Sequence, residues 1–199
     1  MDLFSTEKTI LKLPQAHIVY IPNFLNTNEA NVLFNFLKQQ VDWQHDNITI
    51  FGKTYRQPRL TALYSNTQKT YTYSNITMNP KIFTPELLKL KKQVELASGY
   101  LFNSVLLNFY RDGNDSNGWH ADNEKELGKN PVIASVSLGA ERLFHFKHRT
   151  LKHEKYKLKL EHGSLLIMSG EMQKHWLHQI PKTKRTVGER INLTFRQII

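Results

Sequence analysis

Hydrophobic positions in the first hundred residues fall into two helical stripes. Ala30, Leu33, Phe34, Leu37 and Val41 recur at the i, i+3, i+4, i+7 spacing of one buried helix face. Thr27 or Asn28 can cap that helix, which runs to about Gln40. Leu87, Leu90, Val94 and Ala97 form the second stripe. Thr84 followed by Pro85 marks its start, and Gly99 its end. Before and between the helices, residues 17–25 read as a short strand broken at Pro22, and residues 47–53 and 55–65 as strand and loop.

From Leu101 the period shortens to two. SVLLNFY, VIASVSLG, RLFHFKH, KYKLKL, SLLIMS and RINLTFR are short, β-branched or aromatic runs separated by Gly, Pro or charged turns. Runs this closely spaced predict a sandwich or barrel. The expected class is α+β, mainly β, in a single domain. Residues 1–100 form an N-terminal extension with helices, and residues 101–199 a compact β core.

Two of these runs carry polar residues on one face only. Val105, Leu107 and Phe109 alternate with Leu106, Asn108 and Tyr110. Ile191, Leu193 and Phe195 alternate with Arg190, Asn192, Thr194 and Arg196. A polar face opposite an apolar one usually meets solvent. In a closed β architecture it can instead line an internal pocket.

Composition narrows the chemistry. The 199 residues include no cysteine, which removes disulfides, thiolate metal sites and thiol nucleophiles, and leaves histidine and carboxylate as metal donors. A net charge of +10 points to a polyanionic partner, nucleic acid first, although a generally basic surface gives the same number. No apolar run approaches the roughly 20 residues of a membrane span, and the N-terminus shows no secretory signal pattern. The expected location is intracellular, cytoplasmic in a bacterium and nuclear in a eukaryote.

His120 and Asp122 are spaced so that, in an extended segment, both side chains reach one side of the chain. With His178 they make two imidazoles and one carboxylate, the set that suits Fe(II) and leaves coordination positions open. Arg190 and Arg196 share a strand face, and an open metal beside paired guanidinium groups calls for a dianionic ligand. The remaining histidines read as structural or surface residues; His175 can either reach a ligand or pack beside Trp176.

The strings LLNFYRDGNDSNGWHADNE, ASVSLGAERLFHFKH, HGSLLIMSGEMQKHWLHQIPK and RINLTFR, in this order, resemble the AlkB family of Fe(II)- and 2-oxoglutarate-dependent dioxygenases. The resemblance implies a double-stranded β-helix (jelly roll) with helices outside and a nucleotide-recognition lid. It implies iron held by His120, Asp122 and His178, and 2-oxoglutarate held by Arg190 and Arg196 with Asn108 and Tyr110, with dioxygen as co-substrate. It also implies oxidative demethylation of N-alkylated bases such as 1-methyladenine and 3-methylcytosine, most simply in duplex DNA. Upstream, Ile48, Ile50 and Phe51 stand where repair members push an apolar finger into the duplex. Arg59 follows as a nucleic-acid contact, and Tyr71, Tyr73 and Ser74 fall where the base pocket is lined. Asn123 stands where repair members carry a second acid, leaving Glu124 as the pocket acceptor. The lysines at 155, 157 and 159 and the loop at 181–185 fit phosphate contacts, or simply a protected sheet edge. A monomer is expected. An RNA or protein demethylase of the same family, or a non-catalytic DNA-binding module with a relic site, remain the competing readings.

Overall fold

Where the period-two runs were expected, strands form, and they close into two facing antiparallel sheets. The computed structural model describes residues 8–50, 52–66, 71–73 and 76–199, with side chains at 8–48, 52–66 and 78–199. The first part of the chain gives β1 (Thr9–Leu13), β2 (Ala16–Ile21), α1 (Thr27–Gln40), β3 (Asn47–Ile50), β4 (Lys53–Arg56), β5 (Leu60–Ser65), β6 (Tyr71–Tyr73), β7 (Ile76–Met78) and α2 (Pro85–Ser98). The second gives β8 (Ser104–Tyr110), β9 (Asn117–His120), β10 (Ile133–Gly139), β11 (Arg142–His148), β12 (Lys155–Leu160), β13 (Ser164–Ser169), α3 (Met172–His175), β14 (Trp176–Ile180) and β15 (Arg190–Arg196), with a single 3₁₀ turn at Lys125–Leu127.

The larger sheet has seven strands in the order β1-β2-β13-β10-β15-β8-β5, and the smaller has four in the order β12-β11-β14-β9. Together they make the jelly-roll-like architecture that the sequence implies. Three strands of the larger sheet come from residues before 100, so the sheet crosses the division expected there. Two small hairpins, β3–β4 and β6–β7, stand apart from both sheets.

Each face of the larger sheet has its own core. Val105, Leu107 and Phe109 of β8 join Ile191, Leu193 and Phe195 of β15 beneath the helices, packed with Leu37, Leu87, Leu90 and Val94. Burying each of those large side chains is worth about 1.5–3 kcal/mol. The opposite face, with Leu106 and Tyr110, meets Phe144, Phe146, Trp176 and Ile180 of the smaller sheet. Polar residues of β8 and β15 therefore point between the sheets, not to solvent.

The helices start and stop for local reasons. Asn26, one residue before the expected caps, accepts from the Glu29 N–H while Glu29 accepts from the Asn26 N–H, a reciprocal capping box. Thr84 caps α2, and Gly99 ends it at φ 77°, a left-handed conformation that suits glycine. Ala97, expected in the α2 stripe, is exposed. The β12 edge carries Lys155, Lys157 and Lys159 outward, a placement that suits phosphate contacts and a guarded edge alike.

Candidate active site

The pairing of β14 with β9 sets His178 directly opposite His120. Their rings meet edge to face with centroids 4.3 Å apart. Asp122 lies just beyond β9, and its Oδ2 is 3.4 Å from His178 Nε2. One ligand atom from each of the three residues falls within 4.8 Å of the others. His120 Nδ1 lies 2.8 Å from the Gly118 carbonyl, which can only accept, so Nδ1 carries the proton and Nε2 keeps its lone pair. Burial, followed by the charge of nearby His178, pushes His120 down to about 3, so the ring is a neutral donor at physiological pH.

Asp122 is held from three sides. Burial pushes its carboxyl up, but the Arg196 guanidinium, then His178 and His120, outweigh this and hold it well below the usual carboxylate range. Arg196 Nη2 donates to Asp122 Oδ1 at 2.6 Å. The backbone N–H of Asp122 donates to Gln173 Oε1 at 2.9 Å, which fixes the turn that carries the carboxylate. Two imidazoles and an ionised carboxylate, oriented before any ion arrives, fit Fe(II) by donor type and by number.

Beside this centre, β15 and β8 supply a cationic wall. Their register pairs Arg190 with Tyr110 and Asn192 with Asn108. Arg190 is 1% exposed. Its Nη2 donates to Ser137 Oγ at 3.0 Å, while Nε and Nη1 are buried and find no acceptor among the described residues. Burial pushes Arg190 down to about 10, with the Tyr110 side chain working against that shift and the charge of Arg142 adding to it, so the group stays cationic. A buried guanidinium with two unused donors is a fitting receptor for a carboxylate. Arg190, Arg196 and the His–Asp–His set line one pocket, whose charge and donors can take the dianionic ligand expected from sequence.

Several supporting residues escaped the sequence reading. Ser137 holds Arg190, and Ser135 accepts from Asn192 Nδ2 at 2.7 Å. Both serines alternate with Ala134, Val136 and Leu138 on β10, so strand parity could have singled them out. Gln173 and Arg142 gave no such signal. Arg142 binds the carbonyls of Asp112, Asp115 and Pro181, joining two loops beside Tyr110.

The upstream residues divide. Arg59 is a correction: expected at a nucleic-acid contact, it is 3% exposed and turned inward, where its Nε donates to Asn108 Oδ1 at 2.8 Å. Its parity with Thr61 and Leu63 puts it on the inner face of the β5 edge. Glu124 is half-buried, two residues past Asp122. Ile48 is half-buried on β3, paired with Tyr55 across a hairpin that turns at Gly52. Ile50, Tyr71 and Tyr73 have described backbones on β3 and β6, but their side chains, together with Phe51 and Ser74 altogether, lie outside the described residues. His175 stacks on His148 with centroids 5.8 Å apart, away from the His–Asp–His centre.

Comparison with known proteins agrees with this geometry. A family described as the 2OG-Fe(II) oxygenase superfamily matches residues 17–196. The chain is 41% identical over 192 residues to "Alpha-ketoglutarate-dependent dioxygenase alkB homolog 3" of Bos taurus, covering 92% of this chain and 66% of that one. It is 39% identical over 181 residues to "DNA oxidative demethylase ALKBH2" of Mus musculus, covering 86% of this chain and 76% of that one. It thus spans about two thirds of the length of the first of these curated relatives and about three quarters of the second. The solved structure described as "The structure of OsALKBH1" shares the fold, with a TM-score of 0.66 at 19% identity over 95% of this chain and all of that one. Since the His–Asp–His set, both arginines and the strands β8, β9, β14 and β15 around them all lie inside the matched span, the chain belongs to the AlkB branch of the 2OG-Fe(II) oxygenase superfamily.

Proposed function

We propose that this protein is an Fe(II)- and 2-oxoglutarate-dependent dioxygenase that removes N-methyl groups from nucleic-acid bases, with 1-methyladenine and 3-methylcytosine in DNA as the leading substrates. The balanced reaction consumes dioxygen and 2-oxoglutarate and yields the unmodified base, formaldehyde, succinate and carbon dioxide. One observation carries the reading: a His–Asp–His donor set stands beside Arg190, two of whose buried donors lack an acceptor among the described residues. The mouse relative's name as a DNA oxidative demethylase, and the net charge of +10, support DNA as the substrate.

Iron bound at the three donors would supply the oxidising power, drawn from dioxygen and the 2-oxo acid. The chain's own residues do the rest. His120 binds as a neutral donor beside His178, and Asp122 stays ionised because Arg196 opposes the effect of burial. Arg190 fixes the far carboxylate, and Arg196 is positioned to meet the near end while it holds Asp122. Phe144, whose ring lies 5.1 Å from that of His178, gives the site an apolar wall on that side. Together these groups orient the reactants and exclude water. A base must leave its stack to reach them. The β3–β4 hairpin, with Ile48 on it, is the element we assign to that task, and this makes duplex DNA the preferred form.

The test uses an oligonucleotide bearing one 1-methyladenine, single-stranded or in a duplex, with protein, Fe(II) and 2-oxoglutarate. Loss of the methyl mass only when 2-oxoglutarate is present is the expected result, faster in the duplex. Turnover of 2-oxoglutarate with the DNA mass unchanged would move the substrate to RNA or protein. Salt-sensitive DNA binding with no turnover would leave a binding module.

A further inference from the structure

Arg59 occupies a place that neither an external contact nor a simple core residue explains. It precedes β5, and its guanidinium is buried with no carboxylate paired to it among the described residues. A buried cation without a counter-charge is destabilising unless its donors are well used. Two of them are. Nε donates to Asn108 Oδ1 at 2.8 Å, and Nη1 donates to the Ser116 carbonyl at 3.2 Å. Ser116 returns its own N–H to the Pro58 carbonyl at 2.8 Å, so the segment at 58–59 is stitched to the start of β9. The next residue, Asn117, lies with its side-chain amide 3.2 Å from His120 Nε2.

The consequence for Asn108 follows from donor chemistry. A carboxamide presents an acceptor on one side and a donor on the other, and its two ends are nearly the same shape. Arginine only donates, so the end of Asn108 facing Arg59 must be the oxygen. That leaves Nδ2, a donor, as the free end of a side chain that lines the same pocket as Tyr110, Arg190 and Arg196. With Arg59 absent the carboxamide is free to turn over, and would then present an acceptor to an anion.

We infer that Arg59 is a positioning residue for the co-substrate pocket, holding Asn108 in the donor orientation that a carboxylate of bound 2-oxoglutarate requires. This rests on the function proposed above. The role is distinct from the nucleic-acid contact expected of the same residue, because the guanidinium faces the pocket wall.

The test is a double-mutant cycle read by direct binding. 2-Oxoglutarate is titrated by calorimetry into protein loaded with Mn(II), which binds without turning over. Arg59→Met is expected to weaken 2-oxoglutarate about tenfold, in line with the loss of one charge-assisted, oriented hydrogen bond. Mn(II) affinity should change less than about threefold, which a general loss of structure would not permit. In an Asn108→Ala background the same substitution should weaken binding less than about twofold, because Arg59 acts through Asn108. Arg59→Lys, which keeps the charge and a donor, should recover most of the affinity. If Arg59→Met does not fold, the cycle is run with Arg59→Gln. Unchanged affinity in the Arg59 variant, or full additivity with Asn108→Ala, overturns the inference while leaving the function standing. Wild-type protein that binds no 2-oxoglutarate overturns the function, and this inference with it.

Discussion

Arg190 is a residue that binding and stability value differently. Its buried Nε and Nη1 have no acceptor among the described residues, so the ligand-free fold carries an incompletely satisfied cation. Replacing it by methionine, similar in reach but neutral, should raise the melting temperature of the ligand-free protein by a few degrees, since about 1 kcal/mol corresponds to roughly 2–4 °C at this size. The same variant should lose 2-oxoglutarate binding by about 100-fold, as calorimetry would show. A fall in both would mean that Ser137 and Tyr110 already satisfy the guanidinium. Gln173 makes the complementary case. It touches no ligand atom, yet its Oε1 accepts the Asp122 N–H. Gln173→Leu leaves that N–H buried and unpaired, and should weaken Mn(II) binding about 10- to 100-fold, the usual effect of removing a support behind a metal ligand. Mn(II) affinity within twofold of wild type would show that the turn holds without it.

At the scale of elements, the corner between β10 and β11 fixes how α1 and β15 meet. Gly139 adopts φ 83°, and a Cβ there would sit 2.4 Å from the Glu189 carbonyl and 2.7 Å from the Phe34 ring. Gly139→Ala is therefore expected to cost about 2–4 kcal/mol, measured by urea unfolding, with the shift in β15 felt at Arg190, its register partner. The same corner is pH-sensitive. The Gly139 N–H donates to His162 Nδ1 at 2.8 Å, and burial lowers the histidine below its ordinary value. A base with a lowered folded pKa contributes stability that is fully present above about pH 6.5, its unfolded value, and is lost as pH falls through the folded one. His162→Asn, which keeps an acceptor near Nδ1 and cannot take up a proton, should flatten the loss of stability between pH 7 and 5; an unchanged slope would remove this histidine from the account. What could be read from sequence at this scale follows from how regular each element is. β8 and β15 were legible with their inward faces because seven residues alternate without interruption. β9 was not, since NGWH is four residues with a glycine and is a strand only through its partner β14. The β1–β2 hairpin turns at Gln15 with φ 54°, where no glycine or asparagine announces it. Arg59 was expected at a nucleic-acid contact from the family resemblance alone, whereas its parity with Thr61 points inward. The His–Asp–His set was legible because it is a matter of donor identity; Gln173 and Arg142 were not, because their roles depend on loops that only the fold brings together.

For the whole molecule, the two classes of anion meet different electrostatics. The pocket cations are buried: Arg190 and Arg196 are at most 4% exposed, in surroundings where salt screens weakly. The excess positive charge of the chain is elsewhere. Lys155 and Lys157 stand exposed on the β12 edge, and Lys182, Lys184 and Arg185 on the loop after β14. Lys159 is partly used by Glu141 and Glu161. A nucleic acid would meet those exposed groups in water and release counterions on binding. A small dicarboxylate would enter a preformed site with no such exchange. Raising salt from 50 to 200 mM should therefore weaken binding of an oligonucleotide at least tenfold, the loss produced by about two released counterions. Binding of 2-oxoglutarate to the Mn(II)-loaded protein should change by less than about twofold over the same range. Calorimetry of both ligands in one salt series separates the two sites without any turnover. Equal salt dependence would mean that the pocket is wetter than its burial implies, and salt-independent oligonucleotide binding would assign the surface lysines to guarding the sheet edge alone.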